Sequence, residues 1–265
     1  MSRIFFNRRD EKPSKLVTLG LIAMLSATAA FFLAGPGYGF GLYGDGDNDS
    51  ADLALRFKLI WITGIALGFG GTLTVLGIVH SRLAPQVRAG GRAWLALALA
   101  VMVGWPLYTV SVQVREAAPI HDVTTDLNNP PRFTAIEPRR YDARDSDAVR
   151  GGRLDPRHAE LHQKAYGDLG PLLVDTGVRQ TIVTAARVAE KLGWTVIVSQ
   201  PGKGHIEATD RSLWFNFRYN IAIRVTATDT GSRIDLRALS AVGVSDFGAS
   251  ARRLRAFLKA YPAGE

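Results

Sequence analysis

Two groups of residues in this chain have the types and spacing that metal chemistry uses. His121, Asp122 and Asp126 form one, and His205, Glu207 and Asp210 form the other. Imidazoles and carboxylates together suit zinc or manganese, so a fold that joined the two groups would read as a metal-assisted hydrolase. His121, His205, Glu207 and Asp210 are then the candidate metal ligands. Against that, the spacing follows no established ligand template, and an Asp/Thr-rich stretch beside Pro119 ordinarily caps turns through side-chain hydrogen bonds. A second constellation is Arg224, Asp235 and Arg237, whose planar donor forks suit a small anion, with Trp214 and Trp194 as stacking surface. The bland alternative is a cross-strand ion pair with a spectator arginine, worth at most about 1 kcal/mol.

Other chemistries are excluded or unsupported. The chain has no cysteine, which rules out disulfides, thiolate metal ligation and a thiol nucleophile. Ser240 and Ser245 lack a glycine-flanked nucleophile elbow, and neither a phosphate loop nor a dinucleotide fingerprint occurs, so no cofactor is expected. The stretch Gly44 to Ser50 alternates carboxylates as a calcium loop does. It fails the template at Ser50, where glycine is needed, and at Arg56, where a glutamate should close the shell, and reads as a solvated acidic loop.

The elements that must position these residues begin with three uncharged apolar runs, at about 16–34, 59–79 and 93–114. At about 1.5 Å of rise per residue each can cross roughly 30 Å of hydrocarbon. The first run continues to Leu42, longer than a secretory signal's core, which favours an uncleaved helix over a cleaved leader. Arg3, Arg8, Arg9, Lys12 and Lys15 precede the first run, and Arg82, Arg88 and Arg92 separate the last two. The positive-inside rule puts both stretches in the cytoplasm. An odd number of crossings then exports the C-terminal half from a bacterial cytoplasmic (inner) membrane. With no ionisable residue inside the runs, a pump or proton-coupled transporter is not indicated. Gly64 and Gly68, with Gly70 and Gly71 nearby, suggest close helix packing, and Pro106 suggests a kink in the third run.

Three regions follow: a transmembrane unit over 1–114, an extended connector over 115–156 and a soluble α+β domain over 157–265. The net charge of +8 splits as ten Lys/Arg against six Asp/Glu up to Val114 and 22 against 18 beyond it. Neither half is basic enough to suggest nucleic acid as a partner. The connector carries Pro119, Pro130, Pro131 and Pro138, and mixed charges such as Arg139, Arg140, Asp142 and Asp145 that read as a solvated face.

Beyond it, Val178, Ile182, Ala185, Ala189 and Leu192 recur at helical spacing, and Gly193 supplies a left-handed cap. Trp194 to Ser199 reads as a strand. Gly204–Thr209 and Ser212–Arg218 read as a hairpin about Asp210-Arg211, pairing Ile206 with Phe215, Ala208 with Leu213 and Glu207 with Trp214. A second hairpin centred on Thr230-Gly231 pairs Val225 with Leu236 and sets Arg224 across from Arg237. A closing helix, capped by Ser245 or Asp246, carries an apolar stripe through Leu254, Phe257 and Tyr261. Together these predict an antiparallel sheet packed against two helices, behind an N-terminal three-helix transmembrane unit.

This C-terminal half resembles the family catalogued as domain of unknown function 1499. The resemblance is carried by His121-Asp122-Val123-Thr124-Thr125-Asp126 running into Pro130-Pro131-Arg132-Phe133, by Gly193-Trp194 and Ile206-Glu207-Ala208-Thr209-Asp210, and by Ser232 to Arg237 and Ser245-Asp246-Phe247-Gly248. The chain departs from the usual pattern at Ala241, Val244 and Ser250. The resemblance implies an architecture and membrane association, and no activity. The expectation is therefore a membrane-anchored, extracytoplasmic binding or scaffold module. Its partners beyond the lipid bilayer would be an envelope protein, a lipid headgroup or a small anionic ligand. The alternatives are the metal-assisted hydrolase and a structural subunit of a membrane complex.

Overall fold

The computed structural model describes residues 12–44, 50–84, 86–136, 149–150, 153–241 and 245–262. The acidic loop, most of the connector's charges and Val244 lie outside them. The chain divides into two compact units, Met1–Asp47 with Ala51–Val112, and a second built chiefly of Gln113–Glu265.

In the first unit α1 (Lys15–Phe32) continues into a π-helical turn, Leu33–Gly37, that absorbs Pro36. The others are α2 (Ser50–Leu83) and α3 (Gly90–Glu116). Three helices, over Lys15–Gly37, Asp52–Leu83 and Gly90–Arg115, are long and apolar enough to cross a membrane. The second begins seven residues earlier than its apolar run and so carries Arg56, which is buried, donates to the Ala34 carbonyl at 3.3 Å and lies 4.2 Å over the Tyr38 ring. Among the glycines expected to pack closely, Gly70 does so and Gly64 and Gly68 do not. Nothing lies near Gly64 or Gly68, whereas a Cβ on Gly70 would come within 3.0 Å of the Gly20 carbonyl. Pro106 sits inside α3 without ending it.

The second unit is α+β. The strands of its main sheet are β1 (Asp122–Thr124), β2 (Leu172–Val174), β3 (Thr195–Gln200), β4 (His205–Arg211), β5 (Arg218–Thr228) and β6 (Gly231–Ser240), in sheet order β1-β6-β5-β4-β3. β2 pairs with the other end of β6, and every pairing is antiparallel. Three helices accompany them: α4 (Pro156–Tyr166), α5 (Val178–Lys191) and α6 (Ala249–Ala260). Ile206, Ala208, Ile221, Ile223, Ile234 and Leu236 form one sheet face and pack in a single core with Ile182, Ala185 and Ala189 of α5 and Leu254 and Phe257 of α6. Gly193 adopts φ +84° after α5, as its position requires. Asp246 accepts from the Gly248 and Ser250 N–H groups at the entrance to α6.

Two registers differ from the sequence expectation. β4 runs on to Arg211 and pairs with β5, so that Ile206 faces Ile223, Ala208 faces Ile221 and Glu207 faces Ala222. Residues 212–217 form the connection, and the apolar alternation of Leu213 and Phe215 does not mark a strand. The β5–β6 hairpin is shifted by two residues, with Val225 opposite Ile234 and Arg224 opposite Asp235. A two-residue shift keeps every side chain on its face, and it replaces an arginine facing an arginine by an arginine facing a carboxylate.

Candidate functional site

Period-two alternation places His205, Glu207, Ala222, Arg224, Arg233, Asp235 and Arg237 on the sheet face away from α5 and α6. Residues 122–136, expected as part of the extended connector, are built onto this face. β1 joins the β6 edge, Asp126 accepts from the Asn128 and Asn129 N–H groups to turn the chain, and Thr134 to Ile136 reach Glu207. Ala222 stands between Glu207 and Arg237 in one cross-strand row, and its small side chain leaves room for this strap.

Charge holds the strap at three points. At the first, Arg237 donates to both oxygens of Asp122 at 2.9 and 2.6 Å and to the Pro131 carbonyl at 3.2 Å, with its guanidinium 5.3 Å from the Phe133 ring centre. Both side chains are buried. Burial alone would raise the Asp122 pKa, and the charge and hydrogen bonds of Arg237 hold it below the ordinary value. At the second, Arg224 donates to Asp126 and Asp235, each at 2.9 Å, and to the Asn129 carbonyl at 2.8 Å. Arg233 adds a bond of 2.9 Å to Asp235 and one of 3.3 Å to Asp126.

The third point is Glu207, buried and surrounded by donors. It accepts from the N–H groups of Thr134, Ala135 and Ile136 at 2.6, 2.9 and 2.6 Å, from the Thr134 hydroxyl at 2.7 Å and from His205 Nε2 at 2.7 Å. Burial opposes its charge, and these bonds overrule burial and pull its pKa down to about 2.

A further device seals the free side of β1. Residues 121 and 125 bond to β6, so the Asp122 carbonyl and the Thr124 N–H point outward. His158 Nε2 donates to that carbonyl at 2.8 Å, and His162 Nε2 accepts from that N–H at 3.1 Å. The two histidines stand four apart on α4, one above the other on a single helix face. The bond to His162 fixes its proton on Nδ1, and burial holds its pKa down to about 4. Thr134, His158, His162 and Arg233 were not singled out from sequence. The helix that carries the histidines had a readable start in Asp155-Pro156, an N-cap followed by proline at the first helical position.

The expected constellations are only partly brought together. Asp122, Asp126, Arg224, Asp235 and Arg237 share one face with His205 and Glu207. Asp210 projects to the other face, where Arg253 of α6 binds it at 2.6 Å. His121 is buried beside β6, its carbonyl accepting from the Ser240 N–H at 3.0 Å. Among the described residues no group of three or more His, Asp or Glu is placed to hold a metal. Trp194 lies in the core, stacked 5.7 Å from Phe257. Trp214 belongs to the β4–β5 loop, six residues or roughly 20 Å along the strand beyond Arg224 from where that loop joins at Arg218.

Fold and site together define a two-part α+β protein: apolar helices first, then an antiparallel sheet covered by helices on one face and by its own strap on the other. The chain belongs to the protein family of unknown function DUF1499, whose family model matches residues 122–261, more than half of the chain, and begins at the strand that starts the strap. No curated protein matches the chain.

Proposed function

We propose that the protein is a membrane-anchored scaffold or binding module, its three apolar helices holding the α+β domain on the outer face of a bacterial cytoplasmic membrane. The observation that carries this reading is the closed polar face. Asp122, Asp126, Asp235 and Glu207 already accept hydrogen bonds from arginines or strap N–H groups. A small anion would have to displace two carboxylates from Arg224, and a metal ion would have to strip Asp122 of Arg237. What the charges supply is a rigid platform, and such a platform offers its outer surface to a larger partner.

The test is ligand-dependent stability of the full chain in detergent, with the domain's address read by a reporter fused after Glu265. Zinc, manganese or inorganic phosphate should leave the thermal midpoint where it is, and the reporter should be active only outside the cytoplasm. A midpoint that climbs with zinc or manganese favours the hydrolase reading, one that climbs with phosphate favours the anion reading, and a cytoplasmic reporter overturns the assigned side.

A further inference from the structure

One end of the sheet is unlike the rest of its surface. Ser240 ends β6 opposite Tyr219, and Arg211 ends β4 opposite Arg218, so the loop 212–217 and the turn 245–248 leave the sheet at the same end. The chain also arrives there. The Ser240 N–H bonds to the His121 carbonyl, and α3 ended only at Glu116. Four residues, Ala117 to Ile120, therefore separate the last apolar helix from this end, a tether of roughly 15 Å when fully extended.

This end presents apolar side chains outward. Leu213 is fully exposed, and Trp214 and Phe247 are each 37% exposed. The loop that carries the first two is a compact structure: Ser212 N–H donates to the Phe217 carbonyl, Asn216 N–H to the Ser212 carbonyl and Phe217 N–H to the Ser212 hydroxyl, while Phe215 and Phe217 stack at 5.4 Å. Phe247 is held at φ +54°, a conformation that a bulky side chain rarely takes. Its carbonyl accepts from Arg252 at 2.9 Å, and its neighbour Asp246 grips the next turn. A strained backbone that turns an aromatic ring toward solvent points to a use for that ring. Arginines flank these residues: Arg211, opposite Arg218 at the sheet end, donates to the Asn216 carbonyl of the loop at 3.4 Å, and Arg252 holds the Phe247 carbonyl. Aromatic and aliphatic tips flanked by arginine match the boundary between acyl chains and anionic headgroups.

We infer that Leu213, Trp214 and Phe247 dock this end of the domain into the interface of the bilayer that the three apolar helices cross. The inference rests on the membrane-anchored reading and is independent of which side the domain occupies. Docking fixes the platform against the lipid surface, so that the far end, where β2 meets β6, faces away from it. Leu173 on β2 is 68% exposed and serves as the internal contrast.

Because the chain lacks cysteine, single labels can be placed at will. Leu213→Cys, Leu173→Cys and Ile65→Cys are each made in the full chain, coupled to an environment-sensitive fluorophore and reconstituted into nanodiscs of phosphatidylcholine and phosphatidylglycerol with brominated acyl chains. Quenching is expected at positions 213 and 65 and absent at 173. Adding Trp214→Ser and Phe247→Ser should abolish most of the quenching at 213 without moving the thermal midpoint. Quenching at 65 with none at 213, or equal quenching at 213 and 173, overturns the docking. No quenching at 65 overturns the membrane-anchored reading itself.

Discussion

On one face of the sheet, isoleucines of β4, β5 and β6 meet Ile182, Leu254 and Phe257; on the other, arginines and carboxylates of the same strands grip residues 122–136. The same backbone alternation presents both sets, yet they hold their covers by different physics. Apolar burial is non-directional and indifferent to proton activity. The strap depends on ionised groups in fixed geometry, so it is specific and answers to pH. One sheet therefore has a permanent face and a conditional one.

The comparison can be pressed hardest by cutting each face once. Phe257→Ala removes a buried ring from the helix side and should cost about 3–5 kcal/mol in chemical denaturation of the full chain in detergent, followed by a probe in the C-terminal domain. Arg237→Ala strands the buried Asp122 charge and should cost about 3–5 kcal/mol as well. The two differ in repair. Adding Asp122→Leu to an Arg237→Met background should restore much of the loss, because the penalty comes from an unpaired charge. A loss below about 1 kcal/mol for Arg237→Ala would mean that the pair does not hold the strap.

Acid should separate the faces next. His162 titrates near 4 when folded and near 6.5 in its ordinary state, so between those values the unfolded chain carries a proton that the native one does not. Stability from this group is whole above pH 6.5 and falls as pH drops toward 4, by up to about 1.4 kcal/mol per pH unit. Glu207 acts lower: its contribution is whole above pH 4.5 and is lost as pH falls toward about 2. His162→Gln should flatten the upper part of this profile, whereas Phe257→Ala should lower the curve and leave its slope intact. The smallest effect is expected from Arg233→Ala. That side chain is 37% exposed and shares its carboxylates with Arg224, so no more than about 1 kcal/mol should be lost, and less in high salt.

The permanent face was legible, and of the conditional one the residues were legible but their pairings were not, for a reason visible in the residues. Isoleucines at alternate positions mark a buried face whatever they touch, so α5, α6 and the strands could be read directly. Alternation has period two and cannot detect a two-residue slip; only the like charges at Arg224 and Arg237 argued against the expected register. Asp122 and Arg237 stand 115 positions apart, and no local spacing announces such a pair. Glu207 is harder still, since three of its partners are backbone N–H groups, which leave no mark on residue type. The β4–β5 loop misled for the opposite reason: Leu213 and Phe215 alternate like a strand, and the structure spends that pattern on a turn.

The histidines of α4 have a consequence for how copies of this chain meet one another. A bare outer strand invites a neighbour to add its own, and repeated addition grows ribbons. Here the two backbone atoms that such a neighbour would need are already spoken for, by side chains that occupy no strand position and so propagate nothing. Burial delays protonation of His162 until the pH falls to about 4, so the Thr124 N–H stays engaged through mild acid and this edge stays closed there.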